Sequence, residues 1–250
     1  MTDRGREIFF EIHSGLTREA PGDSQSTEKA FSMIADVGPG ALALDIGCGP
    51  GGQTIDLAKI SDWNIVAVDM RLPYLIELRK SAVREKIADR VHAVNGDMFA
   101  LGFRDASFDV VWAEGSIYII GFERGLIEWK RFIKPGGYLA VTEVSWLMSD
   151  PPDELNSFWA EAYPAIQTTG ENLTLIEQSG YEIVDHFALP ESAWWDHYYS
   201  PIEIKLASLR SRYAGDKEAL DAIETEQAEI DLYRRYSHYY GYVFYVARTG

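Results

Sequence analysis

LALDIGCGPGG, residues 42–52, is the stretch on which the fold turns. The run 41–46 is apolar apart from Asp45 and has the composition of a strand covered on both faces. Glycines at 47, 49, 51 and 52 then turn the chain, and 53–60 continues as a helix with Ile55, Leu57 and Ala58 free to pack. Strand, tight glycine turn and helix together form the opening unit of a parallel sheet.

The unit repeats downstream: strand 64–68, helix 73–86, strand 92–95, strand 108–113, helix 122–132, and strand 138–144 after Pro135-Gly136-Gly137. Strands spaced by helices predict an α/β fold, with a parallel sheet covered on both faces. Upstream, helices are expected at 7–14 and 27–36 around a polar loop at Pro21 and Gly22. Beyond the fifth strand, Leu155, Phe158, Trp159 and Ala162 recur at helical spacing over 153–163, and a helix over 171–179 stops at Gly180. Strand 181–189 follows. The last strand, 240–247 (YGYVFYVA), comes after a segment that reads as helix and aromatic loop.

The formal net charge of −16 disfavours broad contact with nucleic-acid phosphates or anionic lipid. Part of that charge lies in 218–231, which reads as the solvated face of a helix. No run reaches the roughly 18 apolar residues that span a bilayer, and MTDRGREIFFEIHSG lacks the apolar stretch of a secretory signal. A soluble, cytoplasmic chain is expected. Cys48 is the single cysteine, so no intrachain disulfide forms.

Gly47, Gly49 and Gly52 have the spacing of a dinucleotide-binding turn, and Asp69 stands where a ribose-binding acid belongs. Spacing alone does not choose the ligand. Asp45, two residues before the first glycine, would repel a pyrophosphate of about two negative charges, which favours a phosphate-free, cationic ligand.

Further motifs follow in order: Gly96-Asp97-Met98 after the third strand, FDVVWAEGS (108–116) for the fourth and KPGGYLAVTE (134–143) for the fifth. With them, residues 41–147 resemble the class I, Rossmann-like S-adenosylmethionine-dependent methyltransferases. The small-molecule group that includes the ubiquinone and menaquinone biosynthesis enzymes looks closest, and APGDSQST (20–27) resembles that group's loop over the cofactor. The resemblance implies a seven-stranded, mostly parallel sheet in the order 3-2-1-4-5-7-6, with the last strand antiparallel and helices on both faces. It implies one domain over 1–250: an N-terminal cover segment 1–40, a cofactor-binding core 41–190, an insertion 191–237 covering the substrate site, and the final strand in 238–250.

The implied cofactor is S-adenosylmethionine and the product S-adenosylhomocysteine, held by Asp45, Gly47, Gly49, Gly51, Asp69, Met70, Gly96, Asp97, Met98, Glu114 and Gly115. By that resemblance Asp97 meets the adenine amino group, Met70 and Met98 pack on the ring, and Glu114 with Gly115 faces the methionine end. Both methionines also read as ordinary gap-fillers of the core.

Methyl transfer needs alignment and exclusion of water more than it needs a base. Candidate bases are Glu114, His13 and His197, which fall in segments expected at the carboxyl edge of the sheet. Tyr118, Trp146, Trp194, Trp195, Tyr198 and Tyr199 are candidate acceptor-binding residues; the aromatics of the insertion either pack it onto the sheet or line a pocket for a planar or cationic acceptor. A site edged by Glu114 slightly favours an amine among nitrogen and oxygen nucleophiles. Methyltransferases acting on base amines or glutamine amides resemble one another in an Asn/Asp-Pro-Pro-Tyr/Phe motif, but here Glu114-Gly115-Ser116 holds that place. Asp150-Pro151-Pro152-Asp153 reads instead as a proline-led helix start. His92, His186 and His238 read as structural, and no metal is expected. The expected partner is a small-molecule acceptor, with no nucleic acid and no membrane; a homodimer stays open. Rival readings are an NAD-dependent oxidoreductase and a non-catalytic S-adenosylmethionine-binding protein.

Overall fold

Every expected strand forms, and each alternation of strand and helix carries the chain along one sheet. The computed structural model describes residues 2–250; Met1, the first residue of the expected cover segment, lies outside the described residues. In chain order the elements are α1 (Asp3–His13), α2 (Ser24–Ser32), β1 (Leu42–Ile46), α3 (Gly52–Ile60), β2 (Asn64–Asp69), α4 (Leu72–Arg84), β3 (Val91–Asn95) and β4 (Phe108–Ala113). There follow α5 (Ile117–Ile120), α6 (Phe122–Lys130), β5 (Ile133–Trp146), α7 (Asp153–Ala162), β6 (Gln167–Thr168), α8 (Thr169–Gln178) and β7 (Tyr181–Ala188). The chain ends with α9 (Glu191–Trp194), a π-helical turn (Trp195–Tyr199), α10 (Ser200–Arg212), α11 (Lys217–Tyr236) and β8 (Tyr240–Thr249).

The sheet order is β3-β2-β1-β4-β5-β8-β7, with the two-residue β6 pairing the end of β5. β8 runs antiparallel to β5 and β7, and the other pairs are parallel. With β6 set aside, this is the expected seven-strand order. One core layer packs α1, α3, α4 and the insertion on one face, and a second packs α6 and α8 on the other.

Local chemistry moved several boundaries. Thr2 caps α1 by accepting the Gly5 N–H at 3.0 Å, and Asp23 caps α2 by accepting from Ser26 at 2.6 Å, so both helices start earlier than expected. The helix expected over 122–132 forms as α6, ending at Lys130, and a short helix that was not expected, α5, precedes it across Gly121, which sits at φ +93°. β5 begins at Ile133 rather than 138: Phe108 pairs Ile133 and Val110 pairs Tyr138, which throws Lys134 to Gly137 into a bulge where Pro135 needs no ladder partner. The segment after β7 is almost wholly helical.

That helical insertion and the N-terminal segment form one cap over the carboxyl edge of the sheet. The Tyr213 hydroxyl donates to Glu11 at 2.6 Å, Arg4 reaches Asp216 at 2.9 Å, and the Gly22 N–H donates to the Ala193 carbonyl at 3.1 Å.

Candidate functional site

β1 delivers the chain into Gly47 at φ +73°, a conformation that L side chains avoid. A Cβ there would stand 2.5 Å from the Cβ of Ser116, so glycine is required on steric grounds as well. The Gly47 and Cys48 amides donate to the Val68 carbonyl at 2.9 and 3.0 Å. Asp69 accepts the Gly49 N–H at 2.9 Å and the Arg71 N–H at 2.8 Å, which fixes its carboxylate beside the turn with lone pairs left over. Burial raises its pKa, and the two amides oppose that rise.

Asp45 does not face the open side of this turn. It is fully buried beneath it, accepting from the Thr54 hydroxyl at 2.5 Å and from Gln53 at 3.3 Å, while Gln53 also donates to the Cys48 carbonyl at 3.0 Å. Burial pushes its pKa up to about 7. Asp45 therefore braces the turn from behind and acts on a ligand's charge only through it.

Next to the turn lies an open edge. Met70 is 71% exposed and Phe99 45%, Asp97 is exposed with one oxygen accepting the Phe99 N–H, and the Gly96 amide donates to the Asp69 carbonyl. Met98 lies half-buried against Gly47. An exposed apolar edge with an acid beside it suits a flat heterocycle bearing an exocyclic amine.

At the other end, the N-terminal segment lies directly on the turn. The Gly52 N–H donates to the Thr17 carbonyl at 3.0 Å, and a Cβ on Gly115 would stand 2.2 Å from that of Ala20. Arg18, buried, meets Glu114 at 2.5 Å, Asp56 at 2.7 Å and the Thr27 hydroxyl at 3.1 Å. Glu114 also accepts from Thr27 at 2.8 Å and from the Trp112 indole at 2.9 Å. Beneath Arg18 to Pro21, a cavity of about 30 Å³ remains over Gly47, Cys48, Gly49 and Gly115. Glu114, expected as a base, is thus a fully engaged anchor for the cover segment.

The two candidate histidines lie apart from this cavity's lining. His13 is buried between Glu19 and Glu226, each 3.6 Å away, and stacks on Phe9 at 4.1 Å. His197 is exposed on the π-helical turn, where it lines a groove of about 910 Å³ between the N-terminal segment, α3 and α4. Among the described residues, no three His, Cys, Asp or Glu gather to hold a metal.

The aromatic candidates divide. Trp194 stacks on Tyr233 at 4.2 Å, Trp195 packs edge-on against Tyr199, and the buried Tyr199 donates to Glu229 at 3.0 Å, so these three fasten the insertion. Tyr198 tilts onto His13, and Trp146 meets Tyr240 edge to face. Tyr118 differs: it keeps 41% of its surface open and meets Tyr163 edge to face at 6.0 Å.

Sequence reasoning passed over Arg18, Glu19, Thr27 and Glu143. Glu143, in β5 just beyond the end of β4, is 1% exposed, and its Oε2 has no hydrogen-bond partner. Burial pushes its pKa up to about 8. A carboxyl raised from 4.5 in this way stabilises the fold fully below about pH 4.5 and loses that contribution as pH rises to about 8, because the unfolded chain releases the proton first. Glu143→Gln should match the parent's melting temperature near about pH 5 and exceed it at about pH 9, read by thermal denaturation across that range. Parallel curves for the two proteins would refute the burial argument.

The Methyltransferase domain family matches residues 44–141. The chain is similar to sterol 24-C-methyltransferase of Neurospora crassa, 31% identical over 178 residues that cover 67% of this chain and 46% of the relative. It is also similar to an O-methyltransferase of Penicillium expansum, 27% identical over 174 residues, 68% of this chain and 61% of the relative. The chain spans about half the length of the sterol methyltransferases it matches. Among solved structures, an S-adenosylmethionine-dependent methyltransferase of Geobacter sulfurreducens in complex with S-adenosylhomocysteine superposes with a TM-score of 0.83 over 98% of both chains, at 20% identity. At that identity the likeness is one of fold.

Proposed function

We propose that this chain, which carries a match to the Methyltransferase domain family and the fold of an S-adenosylmethionine-dependent methyltransferase, transfers a methyl group from S-adenosylmethionine to a small-molecule nitrogen or oxygen nucleophile, releasing S-adenosylhomocysteine. The observation that supports this most is the charge inventory at the glycine turn. Asp69, Glu19 and Glu114 surround it with Asp45 behind; among the described residues Arg18 is the cation lining its cavity, and Arg71 stands close enough to act on Asp69 and Glu19. S-adenosylmethionine brings one carboxylate, an ammonium, a sulfonium and no phosphate, which is the complement of that set. Three of the five Arg18 N–H donors are engaged, so two remain for the methionine carboxylate. Asp69 offers its free lone pairs to the ribose hydroxyls, and the exposed edge at Met70, Met98 and Asp97 offers a surface for adenine.

Cofactor pockets commonly measure about 300 Å³ or more, so Arg18 to Pro21 must lift from the turn to admit the donor and close again over it. Closure excludes water and leaves a poorly solvated site, where loss of the sulfonium charge in the transition state is favoured. When bound, the donor supplies the activated methyl group; the chain aligns, neutralises and encloses.

Calorimetric titration with S-adenosylmethionine, S-adenosylhomocysteine and NAD tests this. The first two are expected to bind and NAD is not. Binding of NAD alone would move the search to hydride transfer. Binding of the donor with no S-adenosylhomocysteine formed across a panel of amines, phenols and thiols would favour the non-catalytic reading.

A further inference from the structure

Buried acids in folded proteins are paired or hydrogen-bonded, yet Glu143 sits at 1% exposure with an Oε2 that lacks a well-formed hydrogen bond, the Tyr163 hydroxyl being its only close polar neighbour among the described residues. Its position narrows the explanation. β5 pairs β4 in parallel with Val141 opposite Ala113, so Glu143 lies two residues past the end of β4, in the stretch of β5 that runs on beside Gly115, which lines the glycine-turn cavity. The Thr142 hydroxyl beside it takes the Gly115 N–H at 2.7 Å.

The titratable groups facing Glu143 are Tyr118 of α5, Tyr163 just after α7, and Tyr242 and Tyr245 of β8. The Tyr163 hydroxyl lies beside the carboxyl and favours its charged form, against the larger rise that burial imposes. Among the described residues, no Lys, Arg or His pairs with Glu143. The Tyr118 hydroxyl further feels Glu229 and Glu19. Aromatic faces and carboxylates without a cation attract a positive charge. A phenolate or thiolate would be repelled there.

We propose that the methyl acceptor is an amine that arrives as its ammonium ion, packs against the open side of Tyr118 next to Tyr163, and is held and deprotonated by Glu143. This deepens the methyl-transfer reading and rests on it. The ammonium passes one proton to the Glu143 carboxylate. The freed nitrogen lone pair forms the new N–CH3 bond as the methyl–sulfur bond breaks, with that bonding pair staying on sulfur. The proton then leaves Glu143 for solvent as the methylated ammonium departs. Tyr118, open on one side and against Tyr163 on the other, is the wall by which the amine enters.

The probes are benzylamine and its uncharged analogue benzyl alcohol, titrated calorimetrically into protein saturated with S-adenosylhomocysteine. Benzylamine should bind about tenfold or more tightly than the alcohol, and Glu143→Gln should erase that preference while leaving S-adenosylhomocysteine affinity unchanged, which also certifies the fold. Because the carboxyl holds its proton to about pH 8, benzylamine affinity should fall about tenfold per pH unit below that value. Buffers of differing ionisation enthalpy should register about one proton released on binding at neutral pH in the parent protein and none in the variant. Equal benzylamine affinity in parent and variant, no preference over the alcohol, or a pH-independent affinity would each overturn the proposal. Failure of S-adenosylhomocysteine to bind at all would instead strike the donor reading, and benzylamine titrated into the free protein would still decide the role of Glu143.

Discussion

Asp69→Ala will weaken S-adenosylhomocysteine binding by about a hundredfold or more while the protein stays folded. Two losses combine. A carboxylate hydrogen-bonded to two ribose hydroxyls contributes roughly 1.5–3 kcal/mol per bond, and the same carboxylate holds the Gly49 and Arg71 amides that shape the turn. Alanine removes the ligand contact and frees the turn together. Asp69→Asn keeps one acceptor oxygen without the charge and should fall between parent and alanine. The fold should tolerate both changes, since Asp69 lies at the strand end and is only partly buried. Calorimetry beside circular dichroism decides it: an alanine variant binding within about threefold of the parent would remove Asp69 from the cofactor site.

The local units of this protein, though not their exact ends, are legible in its sequence. The glycine turn, the strand before it and the helix after it are neighbours in the chain, and their order alone gives α/β layers; the order of the sheet came from resemblance. β5 shows the limit. Pro135-Gly136-Gly137 reads as a turn because composition cannot distinguish a bulge from a reversal, and only the pairing of Phe108 with Ile133 reveals a continuing strand. The site was less legible for the same reason. Arg18 lies in an aperiodic polar loop, and Glu114, its partner, is 96 residues away, so no window contains both. Glu143 did carry a signal. A glutamate inside the run Leu139 to Trp146, in a strand flanked on both sides by other strands, is buried whichever face it points to. The aromatic insertion was ambiguous because stacking on a neighbouring helix and lining a pocket call for the same residues; Trp194 against Tyr233 resolves toward packing, and Tyr118 does not.

Arg18 carries the other large effect, because it joins the cover segment to the sheet and, in the proposed reading, meets the donor's methionine carboxylate as well. Arg18→Met leaves Glu114 buried at 8% exposure with its countercharge gone. Removing one partner of a buried ion pair costs about 3–5 kcal/mol, which at this chain length lowers the melting temperature by roughly 10 °C. Glu114→Gln is milder, since Asp56 and Thr27 still hold Arg18 and a glutamine oxygen still accepts from Trp112 or Thr27. The double variant should recover much of the stability lost in Arg18→Met, giving a coupling of about 1–3 kcal/mol in a double-mutant cycle. Ligand binding should not follow that recovery. With the cation that lines the cavity gone, both proteins lacking Arg18 should bind S-adenosylhomocysteine about tenfold or more weakly, yet bind 5′-methylthioadenosine, which has no carboxylate, as the parent does. If the double variant regained parental S-adenosylhomocysteine affinity along with its stability, Arg18 would be a clasp for the cover segment and the donor's carboxylate would have to be held elsewhere.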